Sequence, residues 1–347
     1  MTKTVRSRAP LRLGIAGGGT DVSPYCDQYT GYVLNATIDR YAYCVIEQCN
    51  GDDIVFAATD YGMTAQQPCS KFPLPLDDQL NLHKAVYNRM IRDFNESKPL
   101  SLTVTTFCDA PVGSGLGASS TLVVAMIKGY DELLGLGLDD YHIAHLACDI
   151  ERQDCTIQGG KQDQYSATFG GINFIEFYAD DKVLVNPLRV RNWIACELES
   201  SLLLYYTGQS RLSGTIISEQ SQNITAGKEK SLEAMHNLKA AALQMKEALL
   251  RGNFKDFVEG LNLGWQHKKQ SAAAITNPMI DDVFQSAMNA GALGGKVSGA
   301  GGGGFIMFFV EPQHRKKVID VLTNKGGWVS NCHFSHEGSQ CWTIESH

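Results

Sequence analysis

The apolar residues of this chain form two kinds of pattern. Alternating or continuous apolar runs, bounded by glycine, proline and polar residues, are typical of strands and recur before residue 210 and again near the end. Helical spacing predominates in residues 213–290. Because strands and helices are mixed without strict alternation, the pattern predicts an α+β fold with two domains, residues 1–195 and 196–347.

Three predicted strands are joined to glycine-rich loops. Residues 4–16 lead into the turn GGGTD, residues 100–112 lead into the loop PVGSGLGASST, and the loop SGAGGGG leads into the apolar strand FIMFFV. Elsewhere, residues 32–38 and 41–49 are predicted to be two separate strands, with Asp39 and Arg40 near the turn between them. Residues 196–208 are predicted to be a further strand, and residues 158–171 a glycine-flanked turn.

Composition narrows the class of protein. The 347 residues are enough for two domains, and 44% hydrophobic with 19% charged residues is typical of a globular protein with a large core. The net charge of −7 with dispersed basic residues argues against a nucleic-acid or anionic membrane partner and favours a small-molecule function. Ten cysteines without a CxxC pair, and the lack of a signal-peptide or membrane-span pattern, predict a cytoplasmic protein.

The loop PVGSGLGASST is the first candidate site. Glycines let a backbone approach a ligand closely, and the start of the helix that follows offers free N–H groups and a positive dipole end to a phosphate. The chain contains no GxxxxGK motif followed by Ser or Thr, so this is not the P-loop of common nucleoside triphosphatases. The candidate phosphate-binding residues are Pro111, Gly113, Ser114, Gly115, Leu116, Gly117, Ala118, Ser119 and Ser120.

Two acidic residues are candidates for the chemistry of phosphate transfer. Mg²⁺ takes oxygen ligands, so Glu151 and the hydroxyl of Ser119 are candidate metal ligands, although a solvated helix glutamate is the alternative for Glu151. Asp163 could take a proton from an acceptor hydroxyl, whereas a turn-capping aspartate is the alternative there. The glycine run of residues 299–304 matches GxGxxG only formally, because a strand and not a helix follows it.

Together these motifs resemble a known family. APLRLGIAGGGTD, PVGSGLGASST and KVSGAGGGGF resemble, in this order and spacing, the three motifs of the GHMP kinases, which include galactokinase, homoserine kinase and mevalonate kinase. Within that family GGKQDQYSATFGG and YYTGQSRLS are most similar to sugar kinases that act at an anomeric hydroxyl. The resemblance implies an N-terminal domain like ribosomal protein S5 domain 2 and a ferredoxin-like C-terminal domain, with ATP and acceptor in the cleft between them.

The resemblance also implies residue roles. Ser119 and Glu151 would hold Mg²⁺, the backbone of residues 113–120 would bind the triphosphate of ATP, and Asp163 would be the catalytic base, paired with Arg12. Where many relatives have GLGSS, this chain has GLGASS, so the share of Ser120 in metal binding stays open.

The acceptor site is expected at the GGGTD turn, where Asp21 would bind sugar hydroxyls. A phosphate on the acceptor would need cationic partners, for which Lys161 and Arg211 are candidates. The candidate acceptor-site residues are Gly18, Gly19, Thr20, Asp21, Lys161, Arg211 and Gly301.

We therefore expect an ATP- and Mg²⁺-dependent kinase that phosphorylates O1 of a heptose 7-phosphate. The alternatives are a fucose or hexose as acceptor, and an inactive member of the family that only binds sugar or nucleotide. A metal hydrolase built on His333, His336 and Glu337 is disfavoured, since their spacing matches neither HExxH nor HxxEH. The sequence leaves the oligomeric state open.

Overall fold

The structure of the chain, a computed structural model, describes residues 3–76, 79–111, 113–209 and 213–345. The strands are β1 (Lys3–Ala16), β2 (Gly31–Gln48), β3 (Asp53–Ala58), β4 (Met63–Pro68), β5 (Leu102–Cys108), β6 (Ile172–Phe177), β7 (Val183–Pro187), β8 (Leu202–Tyr206), β9 (Gly294–Val297), β10 (Phe305–Phe309), β11 (Trp328–Asn331) and β12 (Gln340–Glu345). The α-helices are α1 (Tyr25–Tyr29), α2 (Asn81–Phe94), α3 (Ala118–Leu134), α4 (Asp140–Asp149), α5 (Gln162–Phe169), α6 (Asn192–Ser201), α7 (Ser213–Thr225), α8 (Glu229–Arg251), α9 (Phe254–Ser271), α10 (Pro278–Ala290) and α11 (Arg315–Thr323).

The larger sheet has the strand order β12-β1-β2-β5-β3-β4, and β6 and β7 extend it from β2. Strand β2 is one long strand, so the prediction of two strands separated by a turn at Asp39 is wrong. Its first half pairs with β6 and its second half with β5, and the N–H of Asp39 donates to the carbonyl of His333 between them. The polar pair at Asp39 and Arg40 therefore marks a change of partner and not a turn.

The smaller sheet has the order β11-β8-β10-β9, with all pairs antiparallel. Its strand β8 is preceded by helix α6, where Ile194 and Leu198 are buried at helical spacing. A single predicted strand over residues 196–208 therefore begins too early. Both sheets share one apolar core, since Leu13 of β1, Leu204 of β8 and Met245 of α8 belong to the same buried cluster.

The end of the chain returns to the larger sheet. Strand β12 pairs antiparallel with β1, from Lys3 opposite Glu345 to Arg8 opposite Gln340. The division of the chain at residue 195 stays a prediction, and the structure adds that the last strand, which lies in the second predicted domain, is hydrogen-bonded into the first sheet.

Two further observations concern the cysteines and the helices. All ten cysteines are free thiols. Within the part of the chain that the structure describes, no helix is long and apolar enough to cross a membrane.

The two glycine-rich loops lie against each other at the junction of the sheets. The N–H of Phe305 donates to the carbonyl of Ser114 over 2.8 Å, and the hydroxyl of Ser298 donates to the carbonyl of Gly115 over 2.8 Å. At Gly304, φ is +81°, and a Cβ added there would lie 2.3 Å from the Ser114 carbonyl oxygen. Glycine is required at this position because it alone permits both the backbone angle and the close approach.

We expect Gly304→Ala to lower the free energy of unfolding by more than about 2 kcal/mol, because it adds a backbone clash to the cost of a positive φ. Urea denaturation would measure the loss. The matched control is Gly62→Ala, since Gly62 has φ +62° and nothing within 4 Å of the added carbon. That change should cost only about 1 kcal/mol, and equal losses in the two variants would contradict the close packing of the loops.

Candidate active site

A cavity of about 780 Å³ lies between the two glycine-rich loops and helices α5, α7 and α9. It brings together most of the residues that the sequence singles out. Among the lining residues are Arg12, Gly19, Asp21, Gly113, Gly115, Gly117, Ala118, Ser119, Ser120, Glu151, Asp163, Lys268, Gly299 and Gly301.

Arg12 connects three parts of this cavity. The side chain, 3% exposed, donates from Nε to Oδ1 of Asp163 over 2.7 Å and from Nη1 to the carbonyl oxygen of Gly115 over 2.6 Å. Its backbone N–H donates to the carbonyl of Leu116 over 3.1 Å. The β-sheet register shifts between Pro10 and Arg12, and such an irregularity redirects a strand where a side chain must be aimed at a site.

Asp163 lies in the first turn of helix α5, so the prediction of a simple turn over residues 158–171 is wrong. The glycines on either side bound a helix of eight residues instead, which ends at Gly170 with φ +67°. A Cβ added to Gly117 would lie 3.1 Å from Cγ of Asp163. The carboxylate is therefore at the N-terminus of α3, and its side chain remains 22% exposed toward the cavity.

Glu151 follows α4 in a short π-helical segment, Ile150–Asp154, and is only 2% exposed. The hydroxyl of Ser120 donates to Oε1 of Glu151 over 3.0 Å, and the amide of Gln164 donates to Oε2. Burial raises the pKa of this carboxyl above its ordinary value. Burial of this carboxylate costs free energy, which the hydroxyl and amide donors offset in part, so Glu151 is not the solvated helix glutamate of the alternative.

These residues fit Mg²⁺ and a triphosphate. Glu151, Ser119 and Ser120 supply oxygen donors in one part of the wall, as Mg²⁺ prefers when phosphates complete its shell. Helix α3 begins after Gly117 without a side-chain cap, and the hydroxyl of Ser114 is buried without a hydrogen-bond partner. The first-turn N–H groups are thus available for an anion.

No cluster of three or more His, Cys, Asp or Glu side chains that could hold a metal ion occurs among the described residues. His333, His336 and Glu337 accordingly do not form such a centre, and Nδ1 of His333 lies 3.8 Å from a carboxylate oxygen of Glu199. The structure gives the hydrolase alternative no metal site.

The GGGTD turn contributes Gly19 and Asp21 to the cavity wall. Asp21 is fully buried and accepts hydrogen bonds from the N–H groups of Gly19 over 2.9 Å and Gln162 over 3.0 Å. The hydroxyl of Thr20 donates to the carbonyl of Gly17 over 2.8 Å and accepts from the N–H of Tyr32 over 3.0 Å. Thr20 therefore holds the turn, while Asp21 lines the cavity.

The other candidate residues fall in different places. Lys161 donates to Oδ1 of Asp181, an exposed carboxylate, and is not among the residues that line the described cavity. Arg211 lies outside the described residues. Gly301 lines the cavity with φ +108°, and a Cβ there would lie 2.8 Å from the carbonyl oxygen of Ile275. Leu116 is buried in the apolar core and serves the loop through its backbone.

The structure also adds residues that sequence reasoning missed. Gln162 and Gln164 flank Asp163 and bond Asp21 and Glu151, respectively. Lys268 of α9 is 4% exposed and donates to the carbonyl of Gly18 over 2.7 Å. A signal for Lys268 existed, since it falls on the buried face of α9 three residues after Trp265.

Comparisons with known proteins agree with this arrangement. Residues 81–171 match the model of the GHMP kinases N terminal domain, and residues 245–327 match that of the GHMP kinases C terminal domain. The chain is 46% identical to the D-glycero-alpha-D-manno-heptose 7-phosphate kinase of Campylobacter jejuni subsp. jejuni serotype O:2, over 99% of this chain and 100% of that protein.

Two other relatives extend the comparison. The solved structure of a D-glycero-D-manno-heptose 1-phosphate kinase from Bacteroides thetaiotaomicron has a TM-score of 0.84 and 44% identity, over 99% of this chain and 100% of that one. The L-fucokinase/L-fucose-1-P guanylyltransferase of Bacteroides fragilis is 28% identical over 92% of this chain and 36% of that longer protein.

This chain therefore belongs to the GHMP kinase family. Its members are kinases that use ATP as phosphate donor, generally with Mg²⁺. The predicted α+β fold and the predicted family are confirmed. The roles of the individual site residues stay predictions.

We expect Glu151→Gln to raise the Mg²⁺ concentration needed for half-maximal kinase activity by at least about 10- to 100-fold, because an amide oxygen carries no charge for the cation. A Mg²⁺ titration of ATP turnover would measure this. Asp140→Asn, which removes an exposed carboxylate outside the described lining of the cavity, should leave the titration unchanged. A Glu151→Gln enzyme with the wild-type Mg²⁺ requirement would exclude Glu151 as a ligand.

Proposed function

We propose that the chain is an ATP- and Mg²⁺-dependent sugar kinase that phosphorylates the anomeric O1 of D-glycero-D-manno-heptose 7-phosphate to the 1,7-bisphosphate, for nucleotide-activated heptose and surface glycan synthesis. The observation that carries the chemistry is the Arg12–Asp163 pair, which lies in one cavity with the phosphate loop and Asp21. The acceptor is supported by the full-length similarity to the Campylobacter jejuni enzyme.

In the proposed reaction Asp163 is the general base. Its carboxylate accepts the proton of the acceptor hydroxyl as that oxygen attacks the γ-phosphorus of ATP, and ADP leaves. Arg12 fixes the orientation of the carboxylate and places positive charge beside the phosphoryl group in transfer. The first-turn N–H groups of α3 bind the phosphates, which aligns donor and acceptor before the reaction.

Glu151, Ser119 and Ser120 would hold Mg²⁺. When bound, the ion neutralises phosphate charge as it develops during transfer. The amide of Gln164 and the hydroxyl of Ser120 keep the Glu151 carboxylate in place for it. A catalytically inactive binding protein is less well supported, since the base, the metal carboxylate and the phosphate loop are all present in the cavity wall.

The names of the two similar heptose kinases place the existing phosphate differently, on C7 in one and on C1 in the other. Purified protein with ATP and Mg²⁺ should therefore be offered heptose 7-phosphate, heptose 1-phosphate, unphosphorylated heptose and fucose. We expect turnover of the 7-phosphate, with ³¹P NMR showing the new phosphate on the anomeric carbon. Turnover of a different sugar, and not of the 7-phosphate, would overturn the proposed acceptor but leave the kinase activity in place. If no sugar is turned over, the alternative of a catalytically inactive binding protein would be favoured.

Asp163→Asn should lower kcat by about 10²- to 10⁴-fold with little change in the KM for ATP, because the amide cannot take the proton but keeps the shape of the side chain. Steady-state kinetics with the accepted sugar would measure both constants. The control is Asp181→Asn, which changes the exposed partner of Lys161. Retention of the wild-type kcat by Asp163→Asn would remove Asp163 from the role of base.

A further inference from the structure

We propose that Lys268 binds the phosphate group of the sugar phosphate acceptor and so selects phosphorylated over neutral sugars. This inference rests on the proposed function, since it assigns a residue to the acceptor phosphate. Lys268 lies in α9, in the second half of the chain. It would bind the acceptor phosphate, for which the sequence analysis named Lys161 and Arg211 as candidates.

Lys268 is a buried cation in the wall of the cavity. The side chain is 4% exposed, lines the cavity, and extends from α9 to the GGGTD turn, where Nζ donates to the carbonyl of Gly18. An ammonium group has three N–H donors. Among the described residues, Nζ of Lys268 uses one of them, in the hydrogen bond to Gly18. Burial lowers the pKa of Lys268 to about 8, which an anionic ligand would raise again.

The other two cations of the described wall are engaged by the protein to different degrees. The lysine and arginine side chains among its lining residues are Arg12, Arg152 and Lys268. Arg12 is paired with the carboxylate of Asp163. Arg152 donates to the carbonyls of Ile157 over 3.0 Å and Gly160 over 2.6 Å, and its Nε has no hydrogen-bond partner among the described residues. A dianion that enters the cleft needs paired charge. We assign this role to Lys268 because its Nζ reaches the GGGTD turn that carries Asp21 and makes one hydrogen bond there, whereas Arg152 is tied to the carbonyls of residues 157 and 160.

A second polar side chain next to Asp21, that of Gln162, also has an atom without a hydrogen-bond partner among the described residues. Oε1 of Gln162 is buried without a hydrogen-bond partner, although Gln162 lines the cavity and is 8% exposed. As an acceptor it suits a sugar hydroxyl, which complements the donors of Lys268. Asp21, between them, already accepts two backbone N–H groups, so its charge is partly compensated before any ligand arrives.

Lys268 could instead serve only to balance Asp21 and hold Gly18. Both roles predict a weaker site when the ammonium is removed, but only phosphate binding predicts a selective loss. The chain offers a matched control in Lys296 of β9, which is 7% exposed and donates to the carbonyl of Gly14 over 2.8 Å, but is not part of the described cavity wall.

The experiment is calorimetric titration of the full chain with heptose 7-phosphate and with heptose, without ATP. We expect the wild type to prefer the phosphorylated sugar, and Lys268→Met to weaken its binding by about 10- to 100-fold while heptose binding changes less than about threefold. Lys268→Arg should keep part of the preference. Lys296→Met should change both affinities by the same factor. Melting temperatures identify unfolded variants, and Lys268→Gln replaces Lys268→Met if the latter fails to fold.

Each contrary result has its own meaning. If the wild type prefers the phosphorylated sugar and Lys268→Met keeps that preference, the role of Lys268 is overturned and the proposed function stands. If Lys268→Met weakens the binding of both sugars by the same factor, Lys268 positions the turn at Gly18 and does not bind the phosphate, and the inference is overturned. If the wild type binds both sugars equally, the proposed acceptor and this inference are overturned together.

Discussion

The hydrogen bonds of Arg12 are the interaction on which the active site depends. One guanidinium group bonds the carboxylate of Asp163 and the carbonyl of Gly115, and the backbone of the same residue bonds Leu116. Strand β1, the first glycine-rich loop and helix α5, which carries Asp163, are thereby fixed to each other. Because Arg12 is almost fully buried, its charge must be compensated by these partners, so the three parts cannot separate without a large electrostatic cost.

The glycines of the two loops make that arrangement possible. Gly115 lies so close to Ser298 that an added Cβ would be 2.4 Å from its carbonyl oxygen, and Gly117 lies against Asp163. Side chains at these positions would separate the first loop from the second and would displace Asp163 from the start of α3. The density of glycine in both loops therefore reflects close contact of one backbone with another as well as the approach of phosphate.

The cavity wall carries buried charges of both signs. Glu151 lies with hydroxyls and free helix N–H groups on the side that fits Mg²⁺ and phosphates, whereas Asp21 and Lys268 lie at the GGGTD turn. Burial raises the pKa of Glu151 and lowers that of Lys268, because burial makes the charged form of each group costly. Ligands of the opposite charge relieve that cost, which couples binding to the charge state of the wall.

The sequence by itself determined the family, the α+β class and the glycine-rich loops that line the cavity, because glycine spacing and helix starts are local properties of the chain. Local pattern predicts a turn at the polar pair in the middle of β2, but pairing with β5 and β6 continues the strand through it. Local pattern likewise predicts a turn between the glycines that flank α5, where the structure has a helix with a buried face. Only the tertiary structure brought Lys268 to Gly18, 250 residues away, and placed Lys161 on Asp181. Which charges face the same cavity depends on how the helices pack on the sheets, and no short stretch of sequence contains that information.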